Sequence, residues 1–139
     1  MVSVPRILKQ AGVASVLLIA VALSSSPTRA DDGFPFGFEM TLEVAPEPGS
    51  KRLPNLEVGD SGEVVLELWC VGGKGQFSIA GNTVIFVAGQ MEARICPPER
   101  TQADNELIAA LSEAATWKRQ GDLVTFIGPK TLRFRINTN

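Results

Sequence analysis

The chain has 139 residues, which is enough for one domain and a leader, and its 45% hydrophobic and 20% charged residues are typical of a folded globular protein. It contains no histidine. Serine–histidine–acid triads, histidine metal sites and histidine pH switches are therefore excluded.

The first 30 residues show the three regions of a secretory signal peptide. Two basic side chains, Arg6 and Lys9, precede an uncharged apolar run over residues 11–23. The run is shorter than the roughly 20 residues that cross a bilayer, so cleavage is favoured over an uncleaved membrane anchor. Small residues before the predicted cut place it near Ala30-Asp31. We expect an exported protein, periplasmic or secreted, with residues 31–139 as a single domain.

Charge is distributed unevenly along the exported part. Cleavage leaves 10 basic and 15 acidic side chains, a balance that does not favour nucleic acid as a partner. Five basic residues lie after position 117, beside the single acid Asp122, and they are Lys118, Arg119, Lys130, Arg133 and Arg135.

Cys70 and Cys96 are the two cysteines, and both belong to the exported part. An even pair in a small exported domain predicts a disulfide, with free thiols as the alternative. Closing a loop of about 26 residues stabilises the fold by roughly 3–3.5 kcal/mol in the chain-entropy model. If the strand over residues 91–95 continues to Cys96, the Cys96 side chain points to the same side as Glu92 and Arg94, away from the core. The pairing with Cys70 therefore needs a bulge near Ile95 or a strand that ends earlier.

Alternating apolar residues predict the strands of the first half. They cover residues 38–44, a short strand at 56–58, and the clearest strand at 63–70. The glycine-rich segment 71–75 lacks the spacing of a phosphate-binding loop and a following helix, so it is predicted to be a hairpin linker.

The second half contains the predicted helix. A hairpin over residues 76–88 turns at Gly81-Asn82, and a short strand is expected over residues 91–95. Thr101, with Asp104 three residues later, predicts the start of a helix at about 102–115. The apolar face of this helix comprises Leu107, Ile108, Leu111, Ala114 and Ala115.

Residues 117–120 follow, then a strand over residues 123–127 and a final strand whose inward residues are Leu132, Phe134 and Ile136. Many short strands with one late helix predict an α+β domain. We expect a mainly antiparallel sheet, curved toward a partly closed barrel, with the helix packed on it.

The segment 69–134 resembles the META domain family, whose bacterial members include the heat-shock protein HslJ. The matching positions are Cys70, Gly75, Gly81-Asn82, Cys96-Pro97, residues 106–111 (ELIAAL), Trp117, Gly121-Asp122-Leu123 and Leu132-Arg133-Phe134. The sequence departs from the family at Val71, where asparagine is common, and at residues 93–95, where the family has Thr-x-Met. The resemblance implies an antiparallel β domain with a packed helix, an envelope or secreted location, and association with stress.

The resemblance supplies no catalytic residues. Ser78, Thr83 and Lys74 are the nucleophile candidates, and the sequence shows no adjacent base or tuned pKa to activate them. We therefore expect a non-enzymatic, stress-associated accessory or binding module without metal or cofactor. The alternative is a carrier of a small apolar or lipid-like ligand, lined by Phe77, Phe86, Phe126 and Phe134, although apolar strand positions are more often core.

Trp69 has the parity of Glu63 and Glu67, away from the predicted core, so it is either covered by another element or part of a binding patch. We expect Arg133 and Arg135 to pair with Glu63 and Glu67 across strands. The alternative is a basic patch, formed with Trp69 by Lys118, Arg119, Lys130, Arg133 and Arg135, that docks an envelope protein or an anionic membrane surface. A monomer that does not bind nucleic acid is expected.

Overall fold

The computed structural model describes residues 2–5, 12, 22, 33–46 and 50–138. The predicted cleavage site and nearly all of the predicted signal peptide lie outside these residues. Within them the chain forms eight strands and one helix: β1 Glu39–Leu42, β2 Asn55–Val58, β3 Glu63–Glu67, β4 Gly72–Ala80, β5 Thr83–Met91, α1 Pro98–Glu113, β6 Thr116–Gln120, β7 Leu123–Ile127 and β8 Leu132–Ile136. No helix in the described ranges combines the length and the apolar character needed to cross a membrane.

The strands form an antiparallel ring that closes unevenly. Each strand pairs with the next along the chain, and β8 returns to pair with β1. β4 and β5 pair along most of their nine-residue lengths, whereas β5 and β6 share one aligned pair, Thr83 and Thr116. α1 packs against β5 and contributes buried residues to the same core. The predicted α+β fold, a curved antiparallel sheet with one packed helix, is confirmed.

The alternation of side chains along each strand fills the ring with apolar groups. β8 buries Leu132, Phe134 and Ile136 and exposes the arginines between them. The Phe77 ring centroid lies 4.9 Å from that of Phe86 and 5.5 Å from that of Phe126. Since all four phenylalanines are buried in one cluster, their assignment to the core is confirmed.

The glycines at positions 72–75 lie in a strand, so the predicted hairpin linker is wrong. Gly73 aligns with Leu66 of β3 and Met91 of β5, and these glycines do not have the positive φ that a tight turn favours. A β-carbon on Gly75 would lie 2.7 Å from the Phe86 ring. Position 75 therefore requires glycine, because the Phe86 ring approaches its backbone too closely for a side chain. The predicted turns at Gly81 and Gly121 are confirmed by φ values of 58° and 61°.

The predicted strand over residues 91–95 is also wrong. β5 ends at Met91, and residues 92–97 form neither strand nor helix. Because the strand ends before Cys96, strand alternation does not determine the direction of the Cys96 side chain. Cys96 forms the predicted disulfide with Cys70, with a Cα–Cα distance of 6.1 Å.

The helix begins four residues earlier and ends two residues earlier than expected. Pro97 is the N-cap, without a side-chain hydrogen bond, and Pro98 is the first helical residue, so the predicted cap at Thr101 is wrong. Proline suits the first position because its missing N–H would be unpaired there anyway. The predicted phase is correct, since Leu107 and Leu111 are buried, although Ala115 lies beyond the helix and is exposed.

The change Leu111→Ala should lower the free energy of unfolding by about 2–5 kcal/mol, because Leu111 is fully buried and its loss leaves a cavity. The matched change Glu113→Ala, on the exposed side of the same helix, should alter stability by less than about 0.5 kcal/mol. Urea denaturation of both variants measures the difference. A larger loss in Glu113→Ala would contradict the helical phase.

Candidate functional site

Asp104 holds the helix to the turn between β3 and β4. Its side chain is buried, with 4% exposure, although it is an acid. Oδ1 accepts the backbone N–H of Trp69 at 2.7 Å, and Oδ2 accepts those of Cys70 and Val71 at 3.2 and 3.1 Å. These charge-assisted hydrogen bonds replace the water that the carboxylate loses on burial.

The sequence predicted Asp104 only as part of a helix cap. Its position on the helix, however, indicates that the side chain is buried. It lies three residues before Leu107 and seven before Leu111, so it shares the apolar face of α1. An acid in the apolar stripe of a helix needs buried donors, which the turn after β3 supplies.

Two further links fasten the same turn to the segment before the helix. The Cys70–Cys96 disulfide is one. The other is Arg94, whose Nη1 donates to the Cys70 carbonyl at 3.0 Å while its Nη2 lies 3.0 Å from Glu92 Oε2. Cys70 is therefore held at three points: its backbone N–H, its backbone carbonyl and its side chain.

Beside this turn, a cleft of about 250 Å³ opens between α1, the end of β1 and the start of β8. We call it the Trp69 cleft. Its apolar walls include Leu42, Val44, Trp69, Ala103, Leu107, Ala110 and Leu132, and Glu106, Lys130 and Thr131 add polar groups. Trp69 is only 7% exposed, so the interpretation that another element covers it is confirmed.

The polar groups of the Trp69 cleft differ in whether they have a hydrogen-bond or ion-pair partner. Glu106 accepts a hydrogen bond from Gln102 at 3.0 Å. Within the described part of the chain, the ammonium group of Lys130 forms no ion pair, and the indole N–H of Trp69 donates no hydrogen bond. In contrast, the indole N–H of Trp117 donates to the Gly81 carbonyl at 2.9 Å.

The basic residues near the C-terminus do not share one environment. Lys130 lines the Trp69 cleft, and Lys118 is exposed on β6. Arg119 donates to the carbonyls of Gly121 and Gly33, at 2.7 and 3.0 Å. The predicted binding patch is thus divided between a cleft, a strand face and a set of internal contacts.

Arg133 and Arg135 pair with acids, but not with the predicted ones. Arg135 Nε donates to Glu43 Oε1 at 2.9 Å, and its Nη1 lies 3.6 Å from Asp122 Oδ2. Arg133 Nε lies 3.8 Å from Glu43 Oε2. The expected partners Glu63 and Glu67 are wrong because β8 neighbours β1 and β7 in the ring, not β3.

The Glu43 carboxylate raises the pKa of Arg135, first through its hydrogen bond and then through its charge. A raised pKa means that the folded state favours the protonated guanidinium. The stabilisation is fully present below the ordinary arginine pKa, and it is lost only as the pH rises through the raised value. This contact is therefore intact throughout the neutral range.

The outer face of the β4–β5 hairpin is a second surface of interest. Residues 75–91 contain no charged side chain. Ile85 and Val87 point outward from β5 with 58% and 60% exposure, and they align with Ser78 and Gln76 of β4. We call this surface the hairpin face.

The nucleophile candidates are spread along the outer side of the same hairpin. Ser78 aligns with Ile85, Thr83 with Ala80, and Lys74 with Val65. Each aligned partner lacks a basic or acidic group. In the described ranges, no three cysteine, aspartate or glutamate side chains come together as a metal site.

The comparisons with known proteins agree with this fold. A sequence model of the META domain matches residues 40–136, from β1 to the last residue of β8. A search of curated proteins finds no match.

Two solved structures resemble the chain. One protein, solved by NMR, has a TM-score of 0.55 and 17% identity, over 71% of this chain and 88% of its own. A DUF4847 family protein from Bacteroides vulgatus ATCC 8482, a 1.00 Å crystal structure, has a TM-score of 0.50 and 18% identity, over 62% and 60%. At these identities the likeness concerns the fold alone.

Removing one acceptor oxygen of Asp104 should loosen the helix. Asp104→Asn should cost about 1–3 kcal/mol of unfolding free energy, because an amide NH₂ replaces an oxygen that accepts buried N–H groups. Asn105→Ala, at the exposed neighbouring position, is the control and should be nearly silent. Equal stability of the two variants in urea melts would show that the carboxylate is dispensable.

Reversing both arginines of β8 separates internal pairing from membrane docking. Arg133→Glu with Arg135→Glu places new carboxylates against Glu43 and Asp122, so the melting temperature should fall. Sedimentation with anionic vesicles should be unchanged. Lys118→Glu, without an acidic partner in the described residues, should leave the melting temperature unchanged. Lost vesicle binding at an unchanged melting temperature would favour the membrane interpretation.

Proposed function

Because the chain belongs to the META domain family, we propose that it is an exported, non-enzymatic accessory protein that binds a partner protein in the cell envelope. The family resemblance supports association with a stress response. The Cys70–Cys96 disulfide supports an oxidising compartment such as the periplasm or the exterior, since such bonds rarely persist in the cytosol.

The hairpin face is the observation that carries this proposal. The water-facing side of an antiparallel sheet normally carries polar side chains. Between Lys74 and Glu92 charged side chains are missing, while Ile85 and Val87 stand more than half exposed. Uncharged surfaces with exposed apolar side chains are typical of protein contacts.

The basic residues give weaker support to an anionic membrane surface. Arg133 and Arg135 already contact Glu43, and Arg119 donates to two backbone carbonyls. Their charges are thus partly neutralised or committed within the fold. A membrane would attract mainly Lys118 and Lys130.

Partner capture should depend on the hairpin face. The exported protein is immobilised and exposed to envelope extract, and the captured proteins are identified by mass spectrometry. The double change Ile85→Lys with Val87→Lys should reduce capture of the recurrent partner at least tenfold, because burying two ammonium groups in an apolar contact is unfavourable.

Ile95→Lys is the matched control for this experiment. Ile95 is fully exposed and lies outside the hairpin, so one lysine charge, against two in the double variant, is added elsewhere on the surface. The control should capture as well as the wild type, and all variants should keep the wild-type melting temperature. Equal capture by the control and the double variant would contradict docking through the hairpin face.

A second candidate function is a carrier of a small apolar ligand, and the Trp69 cleft favours it. The four core phenylalanines do not provide the site, because their rings pack on one another. The cleft instead combines a nearly buried indole and leucine side chains with the Lys130 ammonium group, which has no ion-pair partner among the described residues. Small-molecule sites have this composition, an apolar wall with a few polar groups.

A further inference from the structure

We propose that the Trp69 cleft binds an apolar monocarboxylate of about ten non-hydrogen atoms, with its carboxylate at Lys130 and its apolar body against the leucine walls. This inference names the ligand class of the carrier function and rests on that second candidate. It is independent of the hairpin face, which lies on the outer side of β4 and β5.

The size of the cleft limits the ligand. A cavity of about 150 Å³ lined by apolar side chains accommodates benzene, which has six heavy atoms. A cleft of about 250 Å³ then holds a ligand of roughly ten heavy atoms. An eight-carbon acid or a phenyl-substituted short acid has this size, whereas a two-chain phospholipid is much larger.

The apolar walls come from three elements whose buried side chains belong to one core cluster. Leu42 lies in β1, Leu107 and Ala110 lie in α1, and Leu132 lies in β8. Each of these side chains is at most 7% exposed, so the walls belong to the packed core and are already ordered. A ligand entering the cleft orders few side chains, which reduces the entropy cost of binding.

The polar groups favour an acceptor with negative charge. The Lys130 ammonium and the Trp69 indole N–H are donors that lack partners within the described residues. An ionised carboxylate is the acceptor that suits donors of this kind, because hydrogen bonds to a charged group are stronger than neutral ones. A ligand with an ammonium group would instead place like charge beside Lys130.

Glu106 determines which way the ligand lies. It is on α1, whereas Lys130 is in the loop before β8, so the two charges flank the cleft from different elements. The Glu106 carboxylate repels an acid near α1 and leaves the Lys130 side as the favourable position. The change Glu106→Gln removes this repulsion and should strengthen binding.

The two tryptophans make a direct binding assay available. Trp117→Phe leaves Trp69 as the single indole, and Trp117 lies in the core outside the cleft. Titrating sodium octanoate should then change the intensity or wavelength of Trp69 emission. Octan-1-ol and octylamine, with the same apolar chain, should bind at least tenfold more weakly. Equal binding of octanol would overturn the role of the carboxylate.

Variants in the same background test the site. Lys130→Gln should weaken octanoate binding about tenfold, whereas Lys118→Gln, the matched change on β6, should leave it unchanged. Ala103→Leu fills the cleft and should abolish binding, whereas Ala109→Leu, on the exposed side of α1, should not. Circular dichroism melts identify any variant that fails to fold.

The outcomes separate this inference from the proposals on which it builds. If Trp69 emission responds to none of the three probes, the cleft is not a carrier site, and partner capture through the hairpin face is unaffected. If octylamine or octanol binds as tightly as octanoate, the carrier function stands and the carboxylate assignment is overturned. If Lys118→Gln weakens octanoate as much as Lys130→Gln, the probe is held by general surface charge, which also overturns it.

Discussion

The orientation of α1 depends on the buried Asp104 carboxylate, which joins the helix to the turn between β3 and β4. Burying an ionised carboxylate costs several kcal/mol unless donors replace its water. Here the donors are three successive backbone N–H groups, from Trp69 to Val71. Hydrogen bonds are directional whereas apolar burial is not, so three hydrogen bonds to one carboxylate restrict the rotation of the helix. The contact therefore sets both the rotation of α1 and its position along the turn.

The Trp69 cleft follows from this constraint. Asp104 fixes the backbone of Trp69, and the disulfide and Arg94 fix that of Cys70. The indole thus has little freedom to move into the core, which the phenylalanine rings already fill. It lies instead between α1 and the ends of β1 and β8. A rigid indole beside leucine walls is an ordered surface before any ligand arrives.

Much of the fold was predictable because strand alternation is a local property. The range 123–127 was predicted to the residue because it lies between clear turns, and the inward residues Leu132, Phe134 and Ile136 of β8 were predicted because arginines alternate with them. Other features depend on distant parts of the chain. The local sequence of Gly72, Gly73 and Gly75 is the same whether they form a turn or lie in a strand beside Phe86. The pairing of β4 with β5 decides between the two conformations. The partners of Arg133 and Arg135 depend on β8 meeting β1, which local sequence does not specify.

The candidate site was less accessible to sequence reasoning, for a related reason. Thr101 and Asp104 match a capping pattern, and that local match concealed the long-range role of the acid. Trp69 was identified from its parity, because a large aromatic side chain at an outward position needs a cover or a partner. The structure supplies a cover that is incomplete, since the indole lines a cleft. The hairpin face consists of outward side chains of β4 and β5, and it shares no residue with the Trp69 cleft. A substitution of its outward residues therefore leaves the side chains that line the cleft unchanged.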